Sequence, residues 1–364
     1  MATPPQFADQ RNLEHGARTI GRVKITGYSL ELQDEDGYVG DKASQSAFRE
    51  ILSDLAEHVR AANSQAFDEL DIANASHEEL DRLALGHDSA ASRTIIVAIA
   101  DFANGLADVI ERFRAQPSWR DVERIALGGG FKESAIGRLA IRQASHLLAQ
   151  RGQPIGLRTL HFDADDAGLI GWANMLPDGV AESGDAILAI DIGGTNVRCG
   201  VVQLGSKLRV SLRDKWKHSE DGAQQTDLVE GIVAMLRRMI EQAESKQIML
   251  APFIGIACPG VVSADGSILR GAQNLPGDWN DASFHLPRRL IENIPTLRDR
   301  PTIALLHNDA VAQGLSELAF MSDVQRWAIL TIGTGLGNAS FENIAAPAAS
   351  NSDGAPPAAA RAAR

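Results

Sequence analysis

Two short glycine-rich segments follow apolar runs, and both have the composition of a phosphate-binding turn. The first is Asp191-Ile192-Gly193-Gly194-Thr195-Asn196, and the second is Gly333-Thr334-Gly335-Leu336-Gly337. Glycine permits positive φ and a close approach of the backbone, and the amides of such a turn can bind phosphate oxygens. Each segment alone is as consistent with a plain hairpin turn, because short glycine motifs match by chance. Two of them, each after a buried strand, favour a polyphosphate ligand.

Two aspartates stand at the ends of predicted strands, where a carboxylate can act on a bound phosphate chain. Asp191 would lie near Mg²⁺, through a water, because Mg²⁺ keeps much of its hydration shell. Asp309 lies in His307-Asn308-Asp309, between an apolar strand and a helix whose next turn carries no cation. It is a candidate base that accepts the proton of a sugar hydroxyl as this hydroxyl attacks a phosphoryl group. The alternative is that Asn308 or Asp309 only caps the helix, which is the commoner use of such residues.

Two further segments have one functional and one structural interpretation each. Asn274, in AQNLPGDW, carries an amide that can both donate to and accept from sugar hydroxyls. It could equally belong to a Pro-Gly surface turn in which Trp279 is a packing residue. The triplet Gly128-Gly129-Gly130 follows a buried strand and could let an adenine ring lie on the backbone. A tight strand-to-helix turn explains the triplet equally well.

The elements that must position these residues are predicted from apolar periodicity and turn residues. Strands are expected at 19–32 (bent or in two pieces), 122–131, 157–162, 186–204 (a hairpin), 253–262, 302–307 and 326–341 (a strand–turn–strand unit). Helices are expected at 94–113, 133–151, 167–176, 227–245 and from Asn308 onward. Residues 177–185 are the best candidate linker. Residues 1–17 and 344–364 lack periodicity, and the latter are rich in Ala, Pro and Ser, so both are expected to be disordered.

Composition limits the classes of partner and compartment. The 364 residues carry a net charge of −12, which disfavours binding to nucleic acid. Cys199 and Cys258 are the only cysteines, too few for a disulfide scaffold or a Cys-rich zinc site, and this suits a reducing compartment. The longest apolar run, 94–100, is too short to span a membrane, and the first residues lack the apolar core of a signal peptide. We therefore expect a cytoplasmic protein without membrane partners.

Taken together, these segments resemble the ROK family of sugar kinases and regulators. DIGGTNVR and LTIGTGLGN resemble its two phosphate motifs, GIACPGVVSADGSI with AQNLPGDW its sugar-binding stretch, and HNDAVAQGLSE its catalytic-aspartate helix. ERIALGGGFKES with DDAGLIGWA resembles its adenosine-side segment. The resemblance covers about residues 94–176 and 186–341.

The resemblance implies an α/β, two-lobed actin/hexokinase-like (ribonuclease H-like) fold with a nucleotide cleft between the lobes. It implies an ATP- and Mg²⁺-dependent kinase for a small-molecule sugar, with glucose as the default acceptor, and a possible homodimer. Asp309 would be the base and Asp191 the metal-side carboxylate. Sugar contacts would come from Gly260, Asn274, Asn308 and Asp309; the two glycine turns would hold phosphates and Gly128–Gly130 the adenosine.

Two departures from the family pattern change the expected architecture. The adenosine-side segment precedes Asp191 instead of following the second phosphate motif, so the order is permuted. One lobe would then comprise residues 18–180 together with 325–343, and the other residues 185–324. The family's Cys-rich zinc motif and the Glu–His pair before it are missing after Phe341, so no structural zinc is expected. The segment Gly37–Asp41 could replace part of the lost sugar contact.

Three rival functions are compatible with the same segments. A sugar-responsive transcriptional regulator would need a helix-turn-helix domain, and residues 1–18 are too short to supply it. A catalytically inactive sugar- or nucleotide-binding protein is disfavoured by the retention of Asp309 and both glycine turns. A kinase for fructose, an N-acetylated amino sugar or a polyol differs only in its acceptor.

Overall fold

The fold is described by a computed structural model. It covers residues 14–35, 37–62, 67, 70–86 and 89–344. Within those residues the strands are β1 (Thr19–Ile20), β2 (Val23–Tyr28), β3 (Gln33–Asp34), β4 (Gly37–Tyr38), β5 (Arg124–Gly128), β6 (Gly156–Thr159), β7 (Ala186–Ile192), β8 (Val197–Gln203), β9 (Arg209–Trp216), β10 (Leu250–Cys258), β11 (Val261–Val262), β12 (Ile268–Arg270), β13 (Thr296–Leu297), β14 (Arg300–Pro301), β15 (Ile303–Asn308), β16 (Arg326–Ile332) and β17 (Leu336–Asn343). The helices of the same residues are α1 (Gln45–Ala62), α2 (His77–Ala84), α3 (Ala90–Arg114), α4 (Ala135–Gln150), α5 (Ala164–Ile170), α6 (Gln225–Ser245), α7 (Leu286–Asn293) and α8 (Asp309–Ser316).

One sheet is built from a continuous stretch of chain, and we call it the contiguous sheet. Its strand order is β15-β10-β7-β8-β9. β7, β8 and β9 form an antiparallel meander, whereas β10 lies parallel to β7 and β15 parallel to β10. Numbered in order of appearance, the strands run 3-2-1-4-5 across the sheet. β7 and β10 are buried along their whole length, as expected for central strands covered on both faces.

The other sheet has the same strand order but takes its strands from both ends of the chain; we call it the composite sheet. Its order is β1-β2-β17-β16-β5-β6. β16, β17 and β2 are antiparallel, and β5 and β6 run parallel to β16. Counting from β16, the strands again run 3-2-1-4-5, with β1 added at the edge. Two mixed sheets of this order, covered by helices, confirm the predicted α/β actin/hexokinase-like fold.

Helices join these sheets through three apolar clusters. α1, α3 and α4 cover one face of the composite sheet, and α6 and α7 cover one face of the contiguous sheet. The stripe predicted on α3 is buried, from Ile95 to Phe113, and Ser89 caps this helix by accepting from the Ser92 amide. The third cluster contains α5 and α8 together with side chains of both sheets, such as Phe253 and Ile329. The two sheets are therefore linked through α5 and α8.

The crossing of α5 and α8 explains the small residues of the DDAGLIGWA segment. A Cβ on Gly171 would lie 1.8 Å from the carbonyl oxygen of Ala312, so only glycine permits this approach. Trp172 is fully buried against β10, where a Cβ on Gly255 would lie 2.2 Å from the indole ring. This part of the segment serves helix packing, whereas the family resemblance assigned it to the adenosine side.

Both ends of the described chain lie against neighbouring strands. Of the arm predicted to be disordered, residues 14–17 instead contact β15: the Gly16 amide donates to the Leu306 oxygen at 2.9 Å, and the Leu306 amide donates to His15 Nδ1 at 3.0 Å. Residues 1–13 and 345–364 of the predicted disordered ends lie outside the described residues. The lobe boundaries, 18–180 with 325–343 and 185–324, stay a prediction.

Among the described helices, none combines the length and apolar character needed to cross a membrane.

Candidate active site

A cleft of about 980 Å³ lies between the two sheets, and nearly all the predicted site residues line it. From the contiguous sheet and its loops these are Asp191, Gly193, Gly194, Thr195, Gly260, Asn274, Asn308 and Asp309. From the composite sheet they are Gly129, Gly130, Gly333, Thr334, Gly335 and Gly337. The exception is Gly128, which is covered: a Cβ there would lie 2.7 Å from Leu160 and 3.1 Å from Gln313 Oε1. Residues that are far apart in sequence therefore share one cleft, whereas Gly128 serves packing beneath it.

The two glycine turns face each other across the cleft. Each connects the first two strands of its sheet, β7 to β8 and β16 to β17, and the hydroxyls of Thr195 and Thr334 are 3.2 Å apart. The Gly193 amide donates to Asn196 and the Gly333 amide donates to Gly335 within their own turns. These two amides therefore shape the turns, and phosphate oxygens would be bound by the remaining groups of the turns.

The glycine triplet divides into three positions with different constraints. Gly129 has φ of +81°, and a Cβ on it would lie 2.3 Å from the Ile332 oxygen, at the end of β16. Gly130 faces the cleft, where its nearest neighbours would be Gln45 Nε2 at 3.2 Å and the His77 ring at 3.8 Å. Gly130 is therefore the member of the triplet whose nearest neighbours are the ends of side chains and not backbone atoms.

Asp309 begins α8 at the floor of the cleft. Its Oδ1 accepts from the Ala310 amide at 2.9 Å. Desolvation, and next the negative charge of Asp191, raise the pKa of Asp309 from 3.8 to about 7. A carboxylate with this pKa is half ionised near neutral pH and is suited to accept a proton from a hydroxyl. The cap of α8 is a different residue, Asn308, whose Oδ1 accepts from the Val311 amide.

Asp191 is the second carboxylate of the cleft, and it is 3% exposed. Desolvation raises its pKa, while Arg198, whose Nη1 lies 3.4 Å from Oδ2, lowers it. A Cβ on Gly168 of α5 would lie 2.7 Å from the Asp191 carboxyl carbon, so this glycine makes room for the side chain. The same Arg198 donates from Nε to Asp165 at 2.6 Å. Arg198 therefore pairs with both carboxylates, and its contact with Asp191 is the longer of the two.

Three predicted sugar-binding residues occupy distinct environments. Asn274 is exposed and lies beside both glycine turns, 3.1 Å from the position of a Cβ on Gly194. Gly260 has φ of +108°, and a Cβ there would lie 2.5 Å from the Arg270 oxygen. Asn308 is 1% exposed, and its amide nitrogen already donates to Gly260 O at 3.1 Å and to Ser29 Oγ at 3.0 Å. Asn308 therefore uses both amide hydrogens within the protein, and its role as a sugar contact stays a prediction.

Sequence reasoning missed several polar residues of the cleft. Gln313 lies one helical turn after Asp309 and lines the cleft, and its buried Oε1 has no hydrogen-bond partner among the described residues. Its spacing of four from Asp309 was a usable signal. Ser29 and Asn338 also line the cleft, but they meet only through pairing of β2 with β17. Tyr38, Gly40 and Asp41, from the segment considered as a replacement sugar contact, line the cleft as well.

The described residues contain no cluster of three or more His, Cys, Asp or Glu side chains that could hold a metal ion. Asp191 remains the candidate for a metal that is held mainly by phosphate oxygens and water. The expectation that no structural zinc is bound stays a prediction.

Comparison with known proteins relates the chain to a family. Residues 187–346 match the model of the ROK family. The chain is 31% identical over 150 residues to the N-acetylgalactosamine kinase AgaK of Shewanella sp. (strain ANA-3), covering 41% of this chain and 42% of that one. Among solved structures, the glucose and AMPPNP complex of a ROK family glucokinase from Streptomyces griseus matches with 23% identity, 44% and 45% coverage and a TM-score of 0.35.

The ROK hexokinase from Thermus thermophilus matches with 24% identity, 42% and 45% coverage and a TM-score of 0.30. In each case the chain matches less than half the length of the relative. The matched family segment begins in β7 and extends beyond β17, so it contains both glycine turns and Asp309. Through residues 187–346, the chain is therefore related to the ROK family.

Proposed function

We propose that the protein is an ATP-dependent sugar kinase that transfers the γ-phosphoryl group to a hexose hydroxyl. The observation that carries this proposal is Asp309, with its pKa of about 7, at the floor of a cleft where two glycine turns meet. The match to the ROK family and the similarity to AgaK support the same reaction class.

The residues of the cleft fit a nucleotide with Mg²⁺. The glycines leave space that side chains would fill, since a Cβ on Gly194 would approach Asn274 to 3.1 Å. Asp191 is a buried carboxylate facing the first turn, where a hydrated Mg²⁺ could be held. Bound ATP–Mg²⁺ would supply the phosphoryl group and neutralise the charge that develops during transfer.

The protein's own groups then perform positioning and proton transfer. Ionised Asp309 accepts the proton of the attacking hydroxyl, and the two turns orient the phosphate chain. Asn274 lies where it can bond an acceptor hydroxyl next to both turns. In this mechanism most of the rate enhancement comes from alignment and preorganised electrostatics. Gln313, with an unsatisfied buried oxygen, is positioned to bond a hydroxyl or a water deeper in the cleft.

The acceptor and compartment are the finer parts of the proposal. Glucose is the default acceptor, and N-acetylgalactosamine is the second because AgaK is named for it. Cys199 and Cys258 are both buried and unpaired, which favours a reducing, cytoplasmic compartment. A homodimer is proposed only by analogy with the family.

The test is a coupled assay of ADP release over a panel of glucose, fructose, N-acetylglucosamine, N-acetylgalactosamine, N-acetylmannosamine and polyols. We expect one hexose or amino sugar to stimulate ADP release at least a hundredfold over buffer, with a phosphorylated product seen by mass spectrometry. Binding of a sugar without any phosphorylated product would favour the non-catalytic regulator instead.

A further inference from the structure

A continuous set of hydrogen bonds joins the second glycine turn to the start of α8. Asn338 follows that turn directly, is 4% exposed, and contacts the chain after β2 on three sides. Its carbonyl accepts from the Ser29 amide at 3.1 Å, its Oδ1 accepts from the Leu30 amide at 3.0 Å, and its Nδ2 donates to the Leu30 oxygen at 3.1 Å. These bonds fix the backbone at residues 29 and 30.

Ser29 carries the connection to the contiguous sheet. Its φ is +46°, a left-handed conformation that non-glycine residues adopt rarely. This conformation directs its Oγ to Asn308, whose Nδ2 donates to it at 3.0 Å, while Oγ itself lies 3.4 Å from the Gly260 oxygen. Residues in such sparsely populated backbone conformations cluster at active sites and ligand-binding sites.

Asn308 connects Ser29 to the start of α8, which carries the candidate base Asp309. Its Nδ2 is shared between Ser29 and Gly260, and its Oδ1 caps α8 at the Val311 amide at 3.2 Å. Asp309 is the next residue, so the side chain that caps α8 is adjacent in sequence to the candidate base. No other side-chain hydroxyl among the described residues bonds the Asn308 amide.

We propose that Ser29 is a positioning residue: its hydroxyl, aligned by Asn338, orients Asn308 and thereby Asp309 toward the acceptor. This proposal rests on the proposed kinase function, and it adds that the composite sheet contributes to alignment of the base as well as to nucleotide binding. A purely structural alternative is that Ser29 only occupies a tight turn for which glycine would be better suited.

Two substitutions separate these interpretations. Ser29→Ala removes the hydroxyl and keeps the side-chain carbon, whereas Ser29→Gly removes the hydroxyl and relieves the backbone strain. We expect both variants to lower kcat/KM for the acceptor by roughly three- to tenfold, the effect of one lost hydrogen bond to a positioned group. KM for ATP should stay within twofold of the wild type, and Ser29→Gly should melt no lower than the wild type.

The matched control is Ser340→Ala. Ser340 is a fully buried serine of β17, the strand that also carries Asn338. Its hydroxyl accepts from Thr26 at 2.8 Å, away from the cleft. We expect its acceptor kinetics to be unchanged even if its melting temperature falls. Wild-type acceptor kinetics in Ser29→Gly would overturn the positioning role while leaving the kinase function intact.

If no sugar in the panel is phosphorylated, that result counts against the kinase function alone. A second measurement then tests the positioning role of Ser29 without any activity. Melting temperatures are measured for Ser29→Ala, Asn308→Ala and the double variant. If the two side chains act together, the loss in the double variant is clearly smaller than the sum of the single losses. Additive losses would show that Ser29 and Asn308 are independent and would overturn the proposal.

Discussion

The two sheets have one strand order but bring different chemistry to the cleft. At the end of its first strand the contiguous sheet carries Asp191, and its fifth strand leads into Asp309. The equivalent position of the composite sheet, at the end of β16, is Thr331, and its glycine turns carry no carboxylate. The strand order is therefore repeated, whereas an aspartate at the end of the first strand and another directly after the fifth strand occur only in the contiguous half. In the proposed kinase, the contiguous half would therefore perform the proton transfer and the composite half would mainly hold the nucleotide.

The largest effect is expected from breaking the composite sheet. Truncation after residue 324 removes β16 and β17, which deprives β2 and β5 of their partners and removes fully buried Trp327 and Leu330. Each such side chain contributes about 1.5–3 kcal/mol, and a bare sheet edge is left. We expect an insoluble product, whereas truncation after residue 346 should leave the melting temperature unchanged.

Separate expression of the two parts sharpens the same test. Residues 1–180 alone should be insoluble, and co-expression with residues 181–346 should restore a soluble complex. Cooperative unfolding of the 1–180 fragment by itself would mean that the composite sheet is not a single folding unit.

The next largest effect is expected from Asp309→Asn. The amide keeps the shape of the side chain and removes the base, so turnover should fall by roughly 10²–10⁴-fold. In the wild type, kcat/KM should fall about tenfold per pH unit below the Asp309 pKa of about 7, because the protonated carboxyl cannot accept a proton. Steady-state kinetics from pH 5.5 to 8.5 measure both. A variant that kept half of the wild-type kcat would exclude Asp309 as the base.

The glycine triplet offers a matched pair of substitutions on the composite side. Gly129→Ala should cost about 1–3 kcal/mol, because φ is +81° and the Cβ would lie 2.3 Å from the Ile332 oxygen. A Cβ on Gly130 would meet two side-chain ends, Gln45 Nε2 at 3.2 Å and the His77 ring at 3.8 Å, so the stability of Gly130→Ala should change little while KM for ATP rises. Chemical denaturation and nucleotide kinetics distinguish the two. Equal losses of stability would contradict the different environments described for these glycines.

A smaller effect concerns stability and pH. The folded-state pKa of Asp309 is raised, so the folded protein binds a proton between about pH 4 and pH 7 that the unfolded chain has lost. Its stability contribution is complete below pH 4 and declines as pH rises toward 7. Asp309→Asn removes this decline, so its advantage in melting temperature should grow from pH 4 to pH 7 and then level off. An advantage that is independent of pH would point to a different cause.

The smallest effect on stability is expected from metal removal. EDTA should stop phosphoryl transfer, because Mg²⁺ is needed with the nucleotide, but it should shift the melting temperature by less than about 1 °C. Differential scanning fluorimetry with and without EDTA, together with elemental analysis, tests this. Stoichiometric zinc would contradict it.

Much of this arrangement follows from local sequence. The hairpins around residues 193 and 333, the strand-to-helix junction at Asp309 and the helix at 94–113 are predicted because apolar periodicity and glycine turns coincide there. The structure begins that helix four residues earlier, at Ala90, where Ser89 caps it, and ends it at Arg114. The resemblance of these segments to one family then predicted that they share a cleft, together with its main residues.

Other features depend on contacts that no local pattern records. β9 (Arg209–Trp216) is a half-exposed edge strand with mixed polarity, and its apolar signal is weak. In the sequence Gly128 cannot be distinguished from Gly129 and Gly130, but in the structure the side chains of Leu160 and Gln313 cover it. Ser29 and Asn338 are 309 residues apart in sequence, and only the β2–β17 register joins them. Such contacts require the tertiary fold.

The closing of the composite sheet has a mechanical consequence. Asn343, the last residue of β17, pairs with Val23, the first of β2, and the Ile344 amide donates to the Arg22 oxygen at 2.8 Å. A pulling force applied between residues 22 and 344 would therefore load the β2–β17 ladder at its end and break its hydrogen bonds one after another. Force applied between residues 22 and 203 would not act on this ladder from its end, because residue 203 closes β8 in the other sheet. The molecule should thus yield at low force along the first direction, and the first strand released would be the one that carries Ser29 into the cleft.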